Sequence, residues 1–322
     1  MPKIKAVIIG GGNGSAITTR ALKQNLDLFD ISTVVSMSDS GGSSGRLRDE
    51  FKTLPPGDIL RAILAQSSIC EYKKLKTIFN KNRFDDAGKL TGHNLGNLFL
   101  ILSEQFAGDY MHAVRALEQS VQAVGHVYPV TLDETNLIVE LENGKIIRTE
   151  AQIDRPNYDK RIKIKNARLE PLGKIYEEAN HAIKQADYIF LGPGSLYCSI
   201  IAALLPAGVK EAIDESKAKL IYVAGNAYEV DGETGPTDLS GFVSQLEKYL
   251  PRKLNAIVFN NAKFDKTQSE KYKKKKWDII GFDEKNLLHY NIIKGDYERE
   301  DGGLCKIKLG KILKKVIKKN IF

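Results

Sequence analysis

The chain is 322 residues long and 42% hydrophobic, enough to build a sizeable core for one large or two ordinary domains. Its three cysteines, Cys70, Cys198 and Cys305, are odd in number and lack metal-ligand spacing, so neither a disulfide framework nor a structural zinc site is expected and a reducing cytoplasm is the expected location. Residues 1–10 show no signal-peptide pattern, no apolar run reaches the roughly 18 to 20 residues of a membrane span, and the net charge of +8 comes without a zinc-finger, RNA-binding or arginine-rich signature, so neither membrane nor nucleic acid is an expected partner.

Strand and helix signals alternate from the start. Lys5 to Ile9 predicts a strand and Ser15 to about Leu26 a helix, with Gly10-Gly11-Gly12-Asn13-Gly14 between them. A strand at Ile31 to Met37 leads into Asp39-Ser40-Gly41-Gly42-Ser43-Ser44-Gly45-Arg46. Pro55-Pro56-Gly57-Asp58 reads as a helix start, with Asp58 as a cap for the run Ile59, Ile63, Leu64. Tyr72 to Lys89 is polar and reads as a surface helix and loop. Thr91-Gly92-His93-Asn94-Leu95-Gly96-Asn97 then opens an apolar helix, Leu98 to Phe106, followed by an amphipathic one at Tyr110 to Val124. Between Val127 and about Glu170 the period changes to two, and Asn143-Gly144 supplies a hairpin turn. From Gly173 the alternation resumes: a helix to Ala186, a strand at Tyr188 to Leu191, the turn Gly192-Pro193-Gly194-Ser195, a helix at about Tyr197 to Leu205, and strands at Leu220 to Val223 and Ala256 to Phe259. The terminal stripe Leu309, Ile312, Leu313, Val316, Ile317 predicts a docked helix whose lysines face solvent. The expected architecture is a doubly wound, Rossmann-like, mostly parallel α/β sheet in one nucleotide-binding domain over residues 1–322. A small antiparallel β-hairpin subdomain is inserted over residues 127–170.

Three glycine-bearing turns fall at strand ends, where free backbone N–H groups and a helix dipole favour anions. In the first, Gly10, Gly12 and Ser15 approach the dinucleotide fingerprint, which keeps an NAD-binding enzyme open as a reading. The second mixes two chemistries: Asp39 suits ribose hydroxyls or Mg²⁺, whereas Ser40, Ser43, Ser44, the amides of Gly41, Gly42 and Gly45, and Arg46 suit a phosphate. His93, Asn94 and Asn97 can meet at one helix N-terminus and serve a sugar, a base edge or an orienting hydrogen bond. Gly192, Gly194 and Ser195 offer a further phosphate position. No catalytic triad is evident, and Asp39 and Asp58 are the candidates for a metal or base role.

In order, Gly10-Gly11-Gly12-Asn13-Gly14, Asp39 to Arg48, Leu54-Pro55-Pro56-Gly57-Asp58, Gly92 to Asn97, Gly192 to Tyr197 and Gly232-Glu233-Thr234 resemble the YvcK or gluconeogenesis-factor family, within the superfamily of 2-phospho-L-lactate transferase (CofD). The resemblance implies a cytoplasmic protein that binds a UDP-sugar, notably UDP-N-acetylglucosamine, and links carbon supply to envelope synthesis and cell shape. Asn226 and Tyr272 then join the ligand-binding set, Tyr272 as a platform for a uracil ring. A homo-oligomer and a regulatory protein partner are compatible with this reading. The transferase branch implies instead Mg²⁺-assisted transfer of phospholactate from a guanosine diphosphate carrier. The chain departs from the family pattern at Ser40, where a second acid is usual, and at Tyr228, in a loop one residue longer. It departs again at Gly241-Phe242, in place of Asp-His, and at Lys306, in place of an arginine that offers a bidentate fork.

Overall fold

The computed structural model describes residues 2–68 and 72–319, so Cys70 lies outside the described residues. Twelve strands occur among them: β1 (Ile4–Gly10), β2 (Phe29–Val35), β3 (His126–Pro129), β4 (Asn136–Leu141), β5 (Ile146–Arg148), β6 (Ile164–Glu170), β7 (Tyr188–Leu191), β8 (Lys219–Val223), β9 (Ala227–Glu229), β10 (Ala256–Asn260), β11 (Trp277–Ile279) and β12 (Ile292–Gly295). Seven form one sheet in the order β12-β10-β8-β7-β1-β2-β3, and every neighbouring pair is parallel. The sheet is doubly wound, as its sequence alternation predicts. β1 shows why: Val7 and Ile9 join the core on one face, Ala6 and Ile8 the core on the other. A strand buried on both sides reads as a continuous apolar run, and each fully buried aliphatic side chain contributes about 1.5–3 kcal/mol.

The chain winds outward from β1 to β2 and β3 on one side, and from β7 to β8, β10 and β12 on the other. The connections therefore diverge between β1 and β7, the switch point at which open α/β sheets leave a crevice beyond the strand ends. Helix α1 (Gly12–Leu22) follows β1, and α2 (Gly42–Phe51) and α3 (Pro56–Gln66) follow β2. A second sheet, β5-β4-β6, is antiparallel, and β9 pairs antiparallel with β11.

Three local expectations change. The antiparallel unit starts at Asn136 instead of Val127, because His126–Pro129 pairs parallel with β2 and belongs to the main sheet. After β7 the predicted α-helix is a π-helical turn at Leu196–Ile201 followed by a 3₁₀ turn at Ala202–Leu204. Asp58 does not cap α3: Pro55 holds the N-cap position, and the Asp58 carboxylate pairs with Arg61 one turn on.

The terminal helix Lys306–Lys318 docks as its stripe predicts, burying Leu309, Leu313, Val316 and Ile317. No helix among the described residues is long and apolar enough to cross a membrane. At the crossing with α1, a Cβ built on Gly310 would stand 2.6 Å from the carbonyl oxygen of Ala21. Because that obstacle is backbone, Gly310→Ala should force the helices apart and lower stability by about 1–3 kcal/mol in chemical denaturation, the usual cost of overpacking. An unchanged midpoint would mean the terminal helix is not held at this distance.

Candidate functional site

The switch-point crevice is built from backbone. Gly12 has φ +64, and Gly11, the N-cap of α1, makes no side-chain cap, so the first-turn N–H groups of α1 are left to an outside acceptor. A Cβ on Gly14 would stand 2.1 Å from the carbonyl oxygen of Pro193, and one on Gly11 would stand 2.3 Å from Oδ2 of Asp58. The first and third glycine turns are thus in contact.

Two cavities open from this point. The larger, about 580 Å³, is lined by Gly11, Gly12, Asn13, Gly14, Gly194 and Ser195, by the cations Arg20, Lys76 and Arg299, and by Asn226, Tyr228, Tyr272 and Trp277. Lys76 stands beside the start of α1, where its Nζ donates to Asn13 Oδ1 at 3.3 Å, whereas Arg20 lies in the last turn of that helix and Arg299 pairs with Asp301. Burial pulls the Lys76 pKa down, and Arg20, Lys81, Arg61 and Arg299 lower it further. This end of the cavity is strongly electropositive.

The other end is aromatic, in a different way from the one expected. Tyr272 is only 2% exposed, and the rings of Phe264 and Trp277 pack edge-on to it at 5.0 and 5.6 Å. Its hydroxyl donates to Glu298 at 2.7 Å and accepts from Asn226 at 2.9 Å. Glu298 also accepts from Asn226, Asn260 and the Gly303 amide. Tyr272 is thus anchored in a buried polar network and offers little free ring face, while Tyr228 and Trp277 are only half-buried in the lining. Phe242 adds apolar surface.

The third turn does not present an open phosphate position. Glu233 accepts hydrogen bonds from the Ser195 hydroxyl and from the amides of Leu196, Tyr197 and Cys198. The carboxylate satisfies the donors that a helix N-terminus would otherwise offer an anion, so the expected role of the N–H groups after Ser195 is corrected.

The second cavity, about 460 Å³, lies on the β2 side and shares Gly12, Asp154 and Ser199 with the first. Asp39, Gly41, Gly42, Ser43, Ser44, Asp58, Asn94 and Asn97 line it together with Glu150 and Arg61. Asp39 Oδ1 accepts from the Gly41 amide at 2.9 Å. Burial, reinforced by Asp58, raises the pKa of Asp39, and burial with Asp39, Asp154 and Asp58 nearby raises that of Glu150 to about 8. Ligand atoms of Glu150, Asp154 and Cys198 lie within 4.8 Å of one another. On the opposite wall Asn94 caps the helix Leu95–Ala107 by accepting from the Asn97 amide at 2.8 Å, and Asn97 Nδ2 donates to Ser43 Oγ at 3.0 Å. The carboxamide oxygen of Asn97 has no partner.

Six residues of the predicted set reach neither lining. Gly10, Ser40 and Gly192 lie in the turns outside both linings, and Gly45 lies within α2. His93 lies behind Ser43, with Nδ1 2.8 Å from its hydroxyl, and orients it. Arg46 is exposed on the far side of α2 and donates to the Thr91 carbonyl at 2.7 Å; Arg48 turns to the Thr135 carbonyl, so neither guanidinium joins the anion cradle. Lys306 also lies outside both linings. Sequence reasoning missed Arg20, Lys76, Glu150, Asp154, Arg299 and the role of Glu233. The glycines flanking Glu233 in Gly232-Glu233-Thr234-Gly235 were the one available signal.

A doubly wound α/β protein with a polar crevice at its switch point is the class this geometry defines. The family profile described as 2-phospho-L-lactate transferase CofD matches residues 6–297. A relative from Thermotoga maritima is 38% identical over 88% of this chain and 87% of its own, and the gluconeogenesis factor of Bacillus subtilis is 33% identical over 88% and 87%. The crystal structure of protein BH3568 from Bacillus halodurans superposes with a TM-score of 0.87 at 31% identity, covering 97% of this chain and 100% of that one. The chain belongs to the gluconeogenesis-factor (YvcK) family within the CofD superfamily.

The acid cavity has a pH signature. Between about 4.5, the ordinary value, and about 8, the folded chain keeps a proton on Glu150 that the unfolded chain has released. Its contribution is complete below the lower value and is lost as pH rises through the upper one. Glu150→Gln should therefore flatten the decline of Tm across that window when measured in EDTA. Parallel wild-type and variant profiles would mean the carboxyl is not enclosed as described.

Proposed function

We propose that the protein is a cytoplasmic regulatory protein that binds a nucleotide-sugar of the UDP-N-acetylglucosamine type and couples carbon metabolism to cell-envelope synthesis and cell shape. The observation that carries the binding part is one cavity with two unlike ends. An uncapped helix N-terminus with Lys76 beside it, and Arg20 and Arg299 in the same lining, suits a diphosphate, and Tyr228, Trp277 and Phe242 suit a base. Family membership supports the regulatory part. A binding protein needs only this complementarity.

A panel of UDP-sugars, GDP, NAD and NADP tests the reading by thermal shift. A ligand at roughly 100 times its Kd stabilises by about 2.7 kcal/mol, a readily measured rise in Tm. UDP-sugars should give it. A response to NAD alone would point to the nicotinamide reading instead. Lys76→Ala should weaken UDP-sugar binding about tenfold, the ~1.4 kcal/mol of one charge-assisted contact. Unchanged affinity in that variant would place the diphosphate elsewhere.

The acid cavity supports a second reading, a transferase acting on a nucleotide diphosphate-linked donor. Asp39, Asp58 and Glu150 are oxygen donors of the kind Mg²⁺ takes and line one cavity, and Glu150 and Asp154 bring ligand atoms within 4.8 Å of one another there, so carboxylates that could hold such an ion are at hand. Bound there, the ion would offset charge on a diphosphate leaving group. The chain's own part would be positioning: the α1 amides and Arg20 hold the donor while Arg61 balances the carboxylates. Mg²⁺-dependent turnover of a nucleotide donor, lost in Asp39→Asn, is the expected sign. Binding without turnover at any Mg²⁺ concentration would leave the first reading standing alone.

A further inference from the structure

We propose that the acid-lined cavity is the subsite for the glycosyl group of the ligand, with Asn97 as the residue that selects it; this rests on the nucleotide-sugar reading above. The two cavities share Gly12, Asp154 and Ser199, so a diphosphate at the N-terminus of α1 has one end toward each. The base goes to the cavity with aromatic walls. Among the described residues the other cavity is lined by no aromatic or branched aliphatic side chain, so it suits a second polar group and not a ring that must stack. Four carboxyl groups, Asp39, Asp58, Glu150 and Asp154, stand among Arg61, Arg83 and Arg155 there, a mixture of acceptors and donors that suits a neutral polar group better than another phosphate. A neutral group rich in hydroxyls meets both conditions, since carboxylates and Ser, Asn and backbone groups can accept and donate all around it.

Asn97 supplies independent support. Its side chain is 2% exposed, its nitrogen is engaged by Ser43, and its oxygen has no partner. A buried acceptor left empty carries a desolvation cost that a ligand donor would relieve. A sugar hydroxyl or an acetamido N–H is such a donor, whereas UDP alone brings none to this wall.

Calorimetric titration of the full chain with UDP, UDP-glucose and UDP-N-acetylglucosamine tests this in wild type, Asn97→Ala and Ala151→Leu. Ala151 lines only the acid cavity and is half-buried, so a larger side chain there narrows that cavity alone. The wild type should bind at least one UDP-sugar about tenfold or more tighter than UDP, and both variants should bring that ratio close to one. Because the readout is a ratio, a partly unfolded variant weakens both ligands alike and does not mimic the effect. A ratio of one in wild type, or a preference that survives in both variants, overturns the glycosyl subsite. Failure of UDP and both UDP-sugars to bind at all overturns the nucleotide reading beneath it. A thermal shift from Mg²⁺ alone, lost in Glu150→Gln, assigns the cavity to a cation instead.

Discussion

Everything around the crevice depends on the missing Cβ atoms where β1 passes into α1. At Gly14 the backbone lies against the Pro193 carbonyl, and at Gly11 it lies against the Asp58 carboxylate, each closer than any side chain permits. These contacts bring the turn after β1, the start of α3 and the turn after β7 onto one point. The parallel order of the sheet makes this meeting possible, since β1 and β7 are neighbours whose connections run in opposite directions.

Glu233 shows how the same fold restricts the anion positions it creates. A parallel sheet places helix N-termini at several strand ends, and each is an anion site unless something fills it. At the turn after β7 the filling is internal, with Ser195 and three successive amides spent on one carboxylate. At the turn after β1 the Asp58 carboxylate lies against Gly11, but among the described residues no side chain caps the first turn of α1, and Lys76 stands nearby. One anion position is therefore closed and its neighbour open, and the difference lies in a residue 38 positions beyond Ser195.

The sheet was legible because strands buried on both faces leave apolar runs and their turns need glycine. Local composition also located the helix start at Asn94, whereas α1 begins at Gly12 instead of the predicted Ser15, and α2 begins at Gly42, inside the run read as the second turn. The misreadings share a cause. Asp58 looks like a cap because proline, glycine and aspartate open helices, yet its partner Arg61 and its neighbour Gly11 are set by tertiary contact. His126–Pro129 is too short to show its period, and only pairing with β2 decides its sheet. Lys76 and Arg299 sit among many other lysines and charged residues, with nothing local to single them out. Tyr272 lines the expected cavity, but its burial follows from Glu298, which no motif announces.

The two cavities meet at Gly12, Asp154 and Ser199, and the charged groups on either side of that junction relate the two functional readings. Arg20, Lys76, Arg299 and the α1 dipole draw a diphosphate toward the larger cavity, while the carboxyls opposite resist it. Burial and mutual repulsion answer that conflict by favouring protonation of Asp39 and Glu150, which turns charged acceptors into neutral groups suited to hydroxyls. A divalent cation would answer it the opposite way, keeping the carboxylates ionised and making the same cavity hospitable to phosphate. Binding and transfer thus require no different arrangement of residues. They differ in whether protons or a metal ion balance the acids beside Gly12.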